Sequence, residues 1–175
     1  IKEGGIAFGT DLKMTERVVR AVRNVTGLPL ITKLSPNVTR IDDFARCAAD
    51  AGTDIISVIN TIPAMVIDIQ TRRPALSNVT GGLSGPAIKP VAVRMTYETA
   101  QAVDIPVIGM GGITSAADAV EFLLAGAAAV GVGTAIFSDP GCLVRIPAGI
   151  DDYLEKHGFA SVTELTGALE VDSPA

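Results

Sequence analysis

Two hydrophobic periods alternate along this chain: short continuous apolar runs, each followed by a stretch with apolar residues three or four positions apart. Between Asp11 and Val25, the spacing of Met14, Val18, Val22 and Val25 predicts a helix that Gly27 ends. Leu28 to Leu34 then predicts a strand, stopped by Ser35-Pro36-Asn37. A second helix is predicted to open at Thr39, where Asp42 three residues on fits a capping box, and to bury Ile41, Phe44, Ala45 and Ala48 before Gly52. Asp54 to Asn60 reads as a strand, and its nearly continuous apolar character suits a parallel strand covered on both faces. Thr61 to Ala87 shows no helical period. Within it Met65 to Ile69 and Pro74 to Asn78 predict a small hairpin across Gln70–Arg73, and a connection this long marks a lid, a binding loop or a contact surface. Lys89-Pro90 begins a helix that runs to about Val103. Ile105 to Gly109 is a third strand, and Ser115 with Asp118 caps a helix that buries Ala119, Phe122 and Leu123 before Gly126. Val130 marks a fourth strand, and Ile146, Ile150, Tyr153 and Leu154 a closing helix. Ile1 to Gly9 reads as a glycine-rich loop and Glu170 to Ala175 as a frayed acidic tail.

Strands that alternate with helices imply right-handed βαβ units and a parallel sheet. Two glycine-rich turns stand out within this pattern, Gly109-Met110-Gly111-Gly112-Ile113 and Gly131-Val132-Gly133-Thr134. Each follows an apolar run and leads towards a helix start. Glycine lets a backbone approach an anion closely, and helix-start N–H groups supply donors. Two such turns in adjacent βα units can grip one phosphate, as the loops after the last two strands of (β/α)₈ barrels often do. The expectation is therefore an α/β fold forming the C-terminal half of a (β/α)₈ barrel, about strands 5 to 8 with their helices. Residues 1–169 would form the partial barrel and 170–175 a flexible tail. A complete barrel needs roughly 250 residues and this chain has 175, so it reads as a fragment lacking the N-terminal half. Such a half would leave two sheet edges open.

Composition narrows the function. The 48% hydrophobic content supports a real core, and a formal net charge of -5 argues against a nucleic-acid partner, because phosphate backbones are held by basic surfaces. No apolar run is long enough to span a bilayer, so a membrane role is not expected. Cys47 and Cys142 lack metal-ligand spacing and read as reduced thiols of a cytoplasmic protein. The single histidine, His157, precedes Gly158 at a helix end, where a surface role facing the dipole is expected.

In this fold chemistry sits where strands stop, which directs attention to Lys33, Asn60-Thr61, Gly85, Gly111-Gly112 and Gly133-Thr134. Lys33 lies among Leu30, Ile31 and Leu34, and a charge at the end of a buried strand needs a partner, either a bound electron-rich ring or an ordinary ion pair. Asn60 offers both an acceptor and a donor, suited to an imide or amide ring edge or to its own turn backbone. Thr80 to Pro86 supplies further backbone donors. No catalytic triad, metal cluster or spaced acid pair is evident. A phosphate grip, a lysine and an amide at a strand end together point to a phosphorylated cofactor beside a small polar substrate.

Lys33-Leu34-Ser35-Pro36-Asn37, Ile59-Asn60-Thr61, Gly81 to Pro90 and the two glycine turns closely resemble the class 1B dihydroorotate dehydrogenases, in their FMN-binding catalytic subunit. The resemblance runs from Ile1 to about Leu169. It implies a (β/α)₈ barrel that oxidises dihydroorotate to orotate in pyrimidine biosynthesis. It further implies that Lys33, Ile59, Gly85, Gly111, Gly112, Gly133 and Thr134 bind FMN, and that Asn60 and Thr61 hold the orotate ring. Electrons would pass to a partner subunit carrying FAD and a [2Fe–2S] cluster, then to NAD⁺, in a heterotetramer built on a homodimer. The family's catalytic cysteine belongs to a Ser-Cys-Pro-Asn stretch that would end just before Ile1. Neither Cys47 nor Cys142 matches it, so the chain alone is expected to be inactive. Alternatives are the pyrimidine-reducing domain of dihydropyrimidine dehydrogenase, from which Ser35 and Pro86 differ, a non-redox sugar-phosphate isomerase or lyase, and a non-catalytic fragment serving assembly.

Overall fold

The computed structural model describes residues 8–171. The first seven residues of the predicted N-terminal loop and residues 172–175 of the predicted tail lie outside the described residues. The chain runs α1 (Leu12–Arg23), β1 (Ile31–Lys33), α2 (Ile41–Asp50), β2 (Ile55–Val58), β3 (Ile62–Ala64), β4 (Ile67–Asp68), β5 (Arg73–Pro74), β6 (Gly81–Leu83), a 3₁₀ turn (Pro86–Ile88) and α3 (Lys89–Ala102). It continues through β7 (Val107–Met110), α4 (Ala116–Leu124), β8 (Ala129–Gly131), α5 (Ala135–Ser138), α6 (Cys142–His157) and α7 (Val162–Leu165).

Four parallel strands form one sheet in the order β1-β2-β7-β8, so each βα unit adds its strand beside the last. This is the α/β fold with a parallel sheet that the alternating pattern predicts. Alternate side chains go to opposite faces of the sheet. Ile56, Val58 and Val107 are buried in the core that includes Phe44, Ala92 and Phe122 of the helices. At Gly109 a Cβ would stand 2.6 Å from Phe122 Cδ1, so glycine is what lets α4 seat its phenyl ring against β7. Register places Lys33 beside Ser57, Ser57 beside Ile108 and Ile108 beside Ala129 on the other face. That row is only partly covered: Lys33 and Ala129 are exposed and Ile108 is half-buried.

The local signals that hold are those with partners close in sequence. Ser115 Oγ accepts from Asp118 N at 3.2 Å while Asp118 Oδ2 accepts from Ser115 N at 2.9 Å, the predicted capping box. The Ile41, Phe44, Ala45 and Ala48 stripe is buried, and Gly52 (φ +100°) and Gly158 (φ +76°) end their helices in a conformation that favours glycine. The Gln70–Arg73 hairpin forms with Ile67 opposite Pro74, shorter than expected.

Four expectations need correction. The second helix begins at Ile41 with Arg40 as its N-cap, and the Thr39–Asp42 capping box does not form, because Asp42 is held by Arg40 at 2.7 Å and Arg46 at 2.5 Å. In α1 the buried residues are Thr15 and Val19, whereas Val18, Val22 and Val25 are exposed. Between Thr61 and Ala87 a second antiparallel ribbon joins β3 to β6, with Ile62 opposite Leu83. Among the described residues Lys33 is exposed rather than interior, because its row on that face of the sheet is only partly covered.

Candidate functional site

A cavity of about 330 Å³ opens at the C-terminal ends of the four parallel strands. Lys33, Ile59, Asn60, Thr61, Gly85, Gly111, Gly112, Gly133 and Thr134 all line it, so residues drawn from separate stretches of sequence converge on one space. Ser84, Met110 and Thr114 line it as well. Sequence reasoning did not single out Met110 or Thr114 as site residues, although both sit within or beside the first glycine turn. A volume of this size is at the lower end of small-ligand pockets.

The two glycine turns meet the cavity differently. Gly111 (φ +133°) and Gly112 (φ +82°) adopt backbone conformations that disfavour any side chain, and a Cβ on Gly112 would stand 2.7 Å from the Gly85 carbonyl oxygen. The first turn is thus pressed against the loop that carries Gly85. Gly133 shows the opposite situation: among the described residues no heavy atom beyond its own chain neighbours lies within 4 Å of where its Cβ would be, and its φ is not in the left-handed region. Neither packing nor backbone demands glycine there, which leaves space for a group from outside the chain.

Among the described residues no acceptor takes the backbone N–H of Gly111, Gly112, Gly133 or Thr134. Backbone donors without an acceptor at the edge of one cavity are chemically suited to an oxyanion. The start of α4 does not contribute in the way expected for an open helix end. Asp118 Oδ2 accepts from Thr114 N (2.9 Å) and Ser115 N (2.9 Å), so those donors are already satisfied by their own helix. The donors left without an acceptor are those of the glycine turns themselves.

Charge is sparse. Lys33 is the one charged side chain lining the cavity among the described residues, and no carboxylate there reaches it, so the structural ion pair considered for Lys33 does not form. Lys89, just after the Gly85 loop, is committed elsewhere: its Nζ lies 2.7 Å from Asp118 Oδ1 and 2.5 Å from Glu121 Oε1. Burial pushes the Asp118 carboxyl up, but the hydrogen bonds from Lys89, Thr114 and Ser115 outweigh it and hold the group well below the usual carboxylate range. The same two carboxylates raise the Lys89 ammonium above its ordinary value. This network ties the start of α3 to the residues that follow Gly112.

At the other end of the cavity, Asn60 Oδ1 accepts from Thr61 N at 2.8 Å, and Asn37 Nδ2 donates to Thr61 O at 3.3 Å. The turn-satisfying use of Asn60 is therefore present, and it engages the carbonyl while leaving the amide Nδ2 as a donor. Ile59 is buried and donates its N–H to Met110 O at 3.0 Å, joining the ends of β2 and β7. Neither cysteine lines the cavity. Cys142 is buried in the core, and Cys47, whose thiol burial pushes above its ordinary range, donates to Leu12 O between α1 and α2. His157 stacks on Tyr153 with ring centroids 4.2 Å apart, at the far end of α6. Among the described residues no group of three or more His, Cys, Asp or Glu could hold a metal, and no helix is long and apolar enough to cross a membrane.

Comparison with known proteins adds independent observations. Residues 1–154 match the family model for dihydroorotate dehydrogenase. The chain is 57% identical over 171 residues to the catalytic subunit of dihydroorotate dehydrogenase B (NAD(+)) from Geotalea daltonii, covering 98% of this chain and 56% of the relative. It is 58% identical over 171 residues to the subunit of the same name from Geobacter sulfurreducens, with the same coverage of 98% and 56%. The chain thus spans about half the length of the curated relatives it matches. Among solved structures, a DHODH from Eimeria tenella in complex with ferulenol superposes with a TM-score of 0.75 at 23% identity, over 90% of this chain and 48% of that one, a likeness of fold. On the strength of the family match and the identity of these relatives, the chain belongs to the dihydroorotate dehydrogenase family.

Proposed function

We propose that the chain forms the second half of a (β/α)₈ barrel that binds FMN and oxidises dihydroorotate to orotate in pyrimidine biosynthesis. The observation that carries this reading lies at the strand ends: four backbone N–H groups from two turns that have no acceptor among the described residues, beside a glycine whose missing side chain leaves room for a ligand. The half-barrel is supported by the open edges of β1 and β8 and by the partly covered row Lys33, Ser57, Ile108, Ala129 on one sheet face. Other βα units closing the sheet would cover both.

The residues present fit the cofactor. Gly111, Gly112, Gly133 and Thr134 would hold its phosphate through backbone N–H groups, which suit an anion without needing a cluster of cationic side chains. Lys33 and Ile59 would lie at its ring, with Gly85 on the loop between. Asn60, through the Nδ2 donor left free by its turn, and Thr61 would orient a carbonyl-bearing pyrimidine ring. When bound, FMN supplies the hydride acceptor for the oxidation. The name shared by the relatives, catalytic subunit of dihydroorotate dehydrogenase B (NAD(+)), supports a separate partner subunit, which would carry FAD and a [2Fe–2S] cluster and pass electrons to NAD⁺. The same reading supports a cytoplasmic protein assembled as a homodimer within a heterotetramer.

The test is turnover by the complete barrel with its electron-transfer subunit. Dihydroorotate-dependent bleaching of a flavin spectrum, with no comparable reaction on uracil or thymine, is expected. A preference for uracil would replace the substrate assignment with that of a pyrimidine reductase. A purified barrel without flavin absorbance would favour a sugar-phosphate isomerase or lyase.

A further inference from the structure

Thr134 Oγ1 donates to Ser84 Oγ at 2.8 Å, a contact between residues 50 positions apart on two different loops of the cavity. Ser84 also stands at a crossing point. Its neighbour Gly85 is buried and presents the carbonyl against which Gly112 is pressed. In the β3–β6 ribbon Ile62 is opposite Leu83, so Thr61 and Ser84 are the next positions facing each other beyond that ladder. The second glycine turn runs into a helix of only four residues, which gives it little support from that side.

We propose that Ser84 is a positioning residue that fixes the Gly133-Thr134 turn relative to the Gly111-Gly112 turn, so that both can reach a single phosphate. This rests on the assignment of the cavity to FMN. The Gly85 carbonyl sets the first turn by backbone contact, and the adjacent Ser84 hydroxyl sets the second by a hydrogen bond. The 81–85 loop is then the brace between two βα units whose other link at this level is the pairing of β7 with β8.

The experiment is titration of the deflavinated complete barrel with FMN and with riboflavin, which lacks the phosphate, followed by flavin fluorescence. The wild type is expected to bind FMN more tightly than riboflavin. Loss of one hydrogen bond in Ser84→Ala should weaken FMN binding about three- to tenfold and leave riboflavin unchanged, while Ser84→Thr retains the wild-type preference. Adding Ser84→Ala to Thr134→Val should cost nothing further, because either change alone removes the contact. FMN affinity unchanged in Ser84→Ala, equal losses for both ligands, or full additivity with Thr134→Val would overturn the role of Ser84 while leaving the phosphate assignment standing. Equal wild-type affinities for FMN and riboflavin would overturn the phosphate assignment and this proposal together.

Discussion

The backbone of Gly112 passes so close to Gly85 that a Cβ on Gly112 would lie 2.7 Å from the Gly85 carbonyl oxygen and 2.9 Å from Lys89 Cβ. Gly112 also sits at φ +82°, where a side chain is disfavoured by about 1–2 kcal/mol. Gly112→Ala is therefore expected to lower both the melting temperature and flavin affinity, since neither the Gly85 backbone nor the start of α3 can yield without moving the loop. Thermal unfolding and flavin titration of the variant check this. A variant with wild-type stability would show that the two loops are not in contact.

Gly133 gives the contrasting case. With no atom of a described residue beyond its chain neighbours within 4 Å of its Cβ position and no left-handed backbone, Gly133→Ala should leave stability within about 0.5 kcal/mol of the wild type. Its methyl group would enter the space assigned to the ligand, so FMN affinity should fall. The pair of glycines thus separates a packing requirement from a binding requirement, read by the same two measurements.

Much of the fold follows from local signals. Ser115 and Asp118 meet within one helical turn, and Gly52, Gly126 and Gly158 stop helices by their own backbone geometry, so the sequence reveals them directly. What it hides depends on distant residues. Asp42 leaves the expected cap for Arg40 and Arg46, and the β3–β6 ribbon depends on pairing Ile62-Pro63-Ala64 with Gly81-Gly82-Leu83, neither of which carries a strand-like alternation. The 3–4 spacing of Met14, Val18, Val22 and Val25 signals a helix, but the residues buried in α1 are Thr15 and Val19. At the candidate site, the convergence of nine residues on one cavity matches the order of the motifs. The exposure of Lys33 does not, because it depends on which distant elements cover its face of the sheet.

Asp118 makes the stability of the first turn depend on pH. Its folded pKa is depressed below the ordinary 3.8, so its contribution is fully present above that value and is lost as pH falls through the lower folded one. Asp118→Asn removes the charge that holds Lys89 and should cost about 1–3 kcal/mol near neutral pH. The difference between the wild type and this variant should stay constant from about pH 7 to 5 and shrink below about pH 4, measured by denaturant unfolding across that range. A difference independent of pH down to 2 would contradict it.

Thr99 is fully buried in α3, and its hydroxyl has no hydrogen-bond partner among the described residues. Thr99→Val keeps the shape and removes the unsatisfied group, so it should stabilise the protein by about 1 kcal/mol. A rise in melting temperature is the expected readout, and a fall would mean that the hydroxyl has a partner in the assembled protein.

The account turns on one phosphate being shared by two turns. A crystal structure of the complete barrel with FMN measures this directly: phosphate oxygens should lie within hydrogen-bond distance of backbone nitrogens from both the Gly111-Gly112 turn and the Gly133-Thr134 turn. A phosphate held by one turn alone, or bound outside the cavity lined by Lys33 and Asn60, would contradict it.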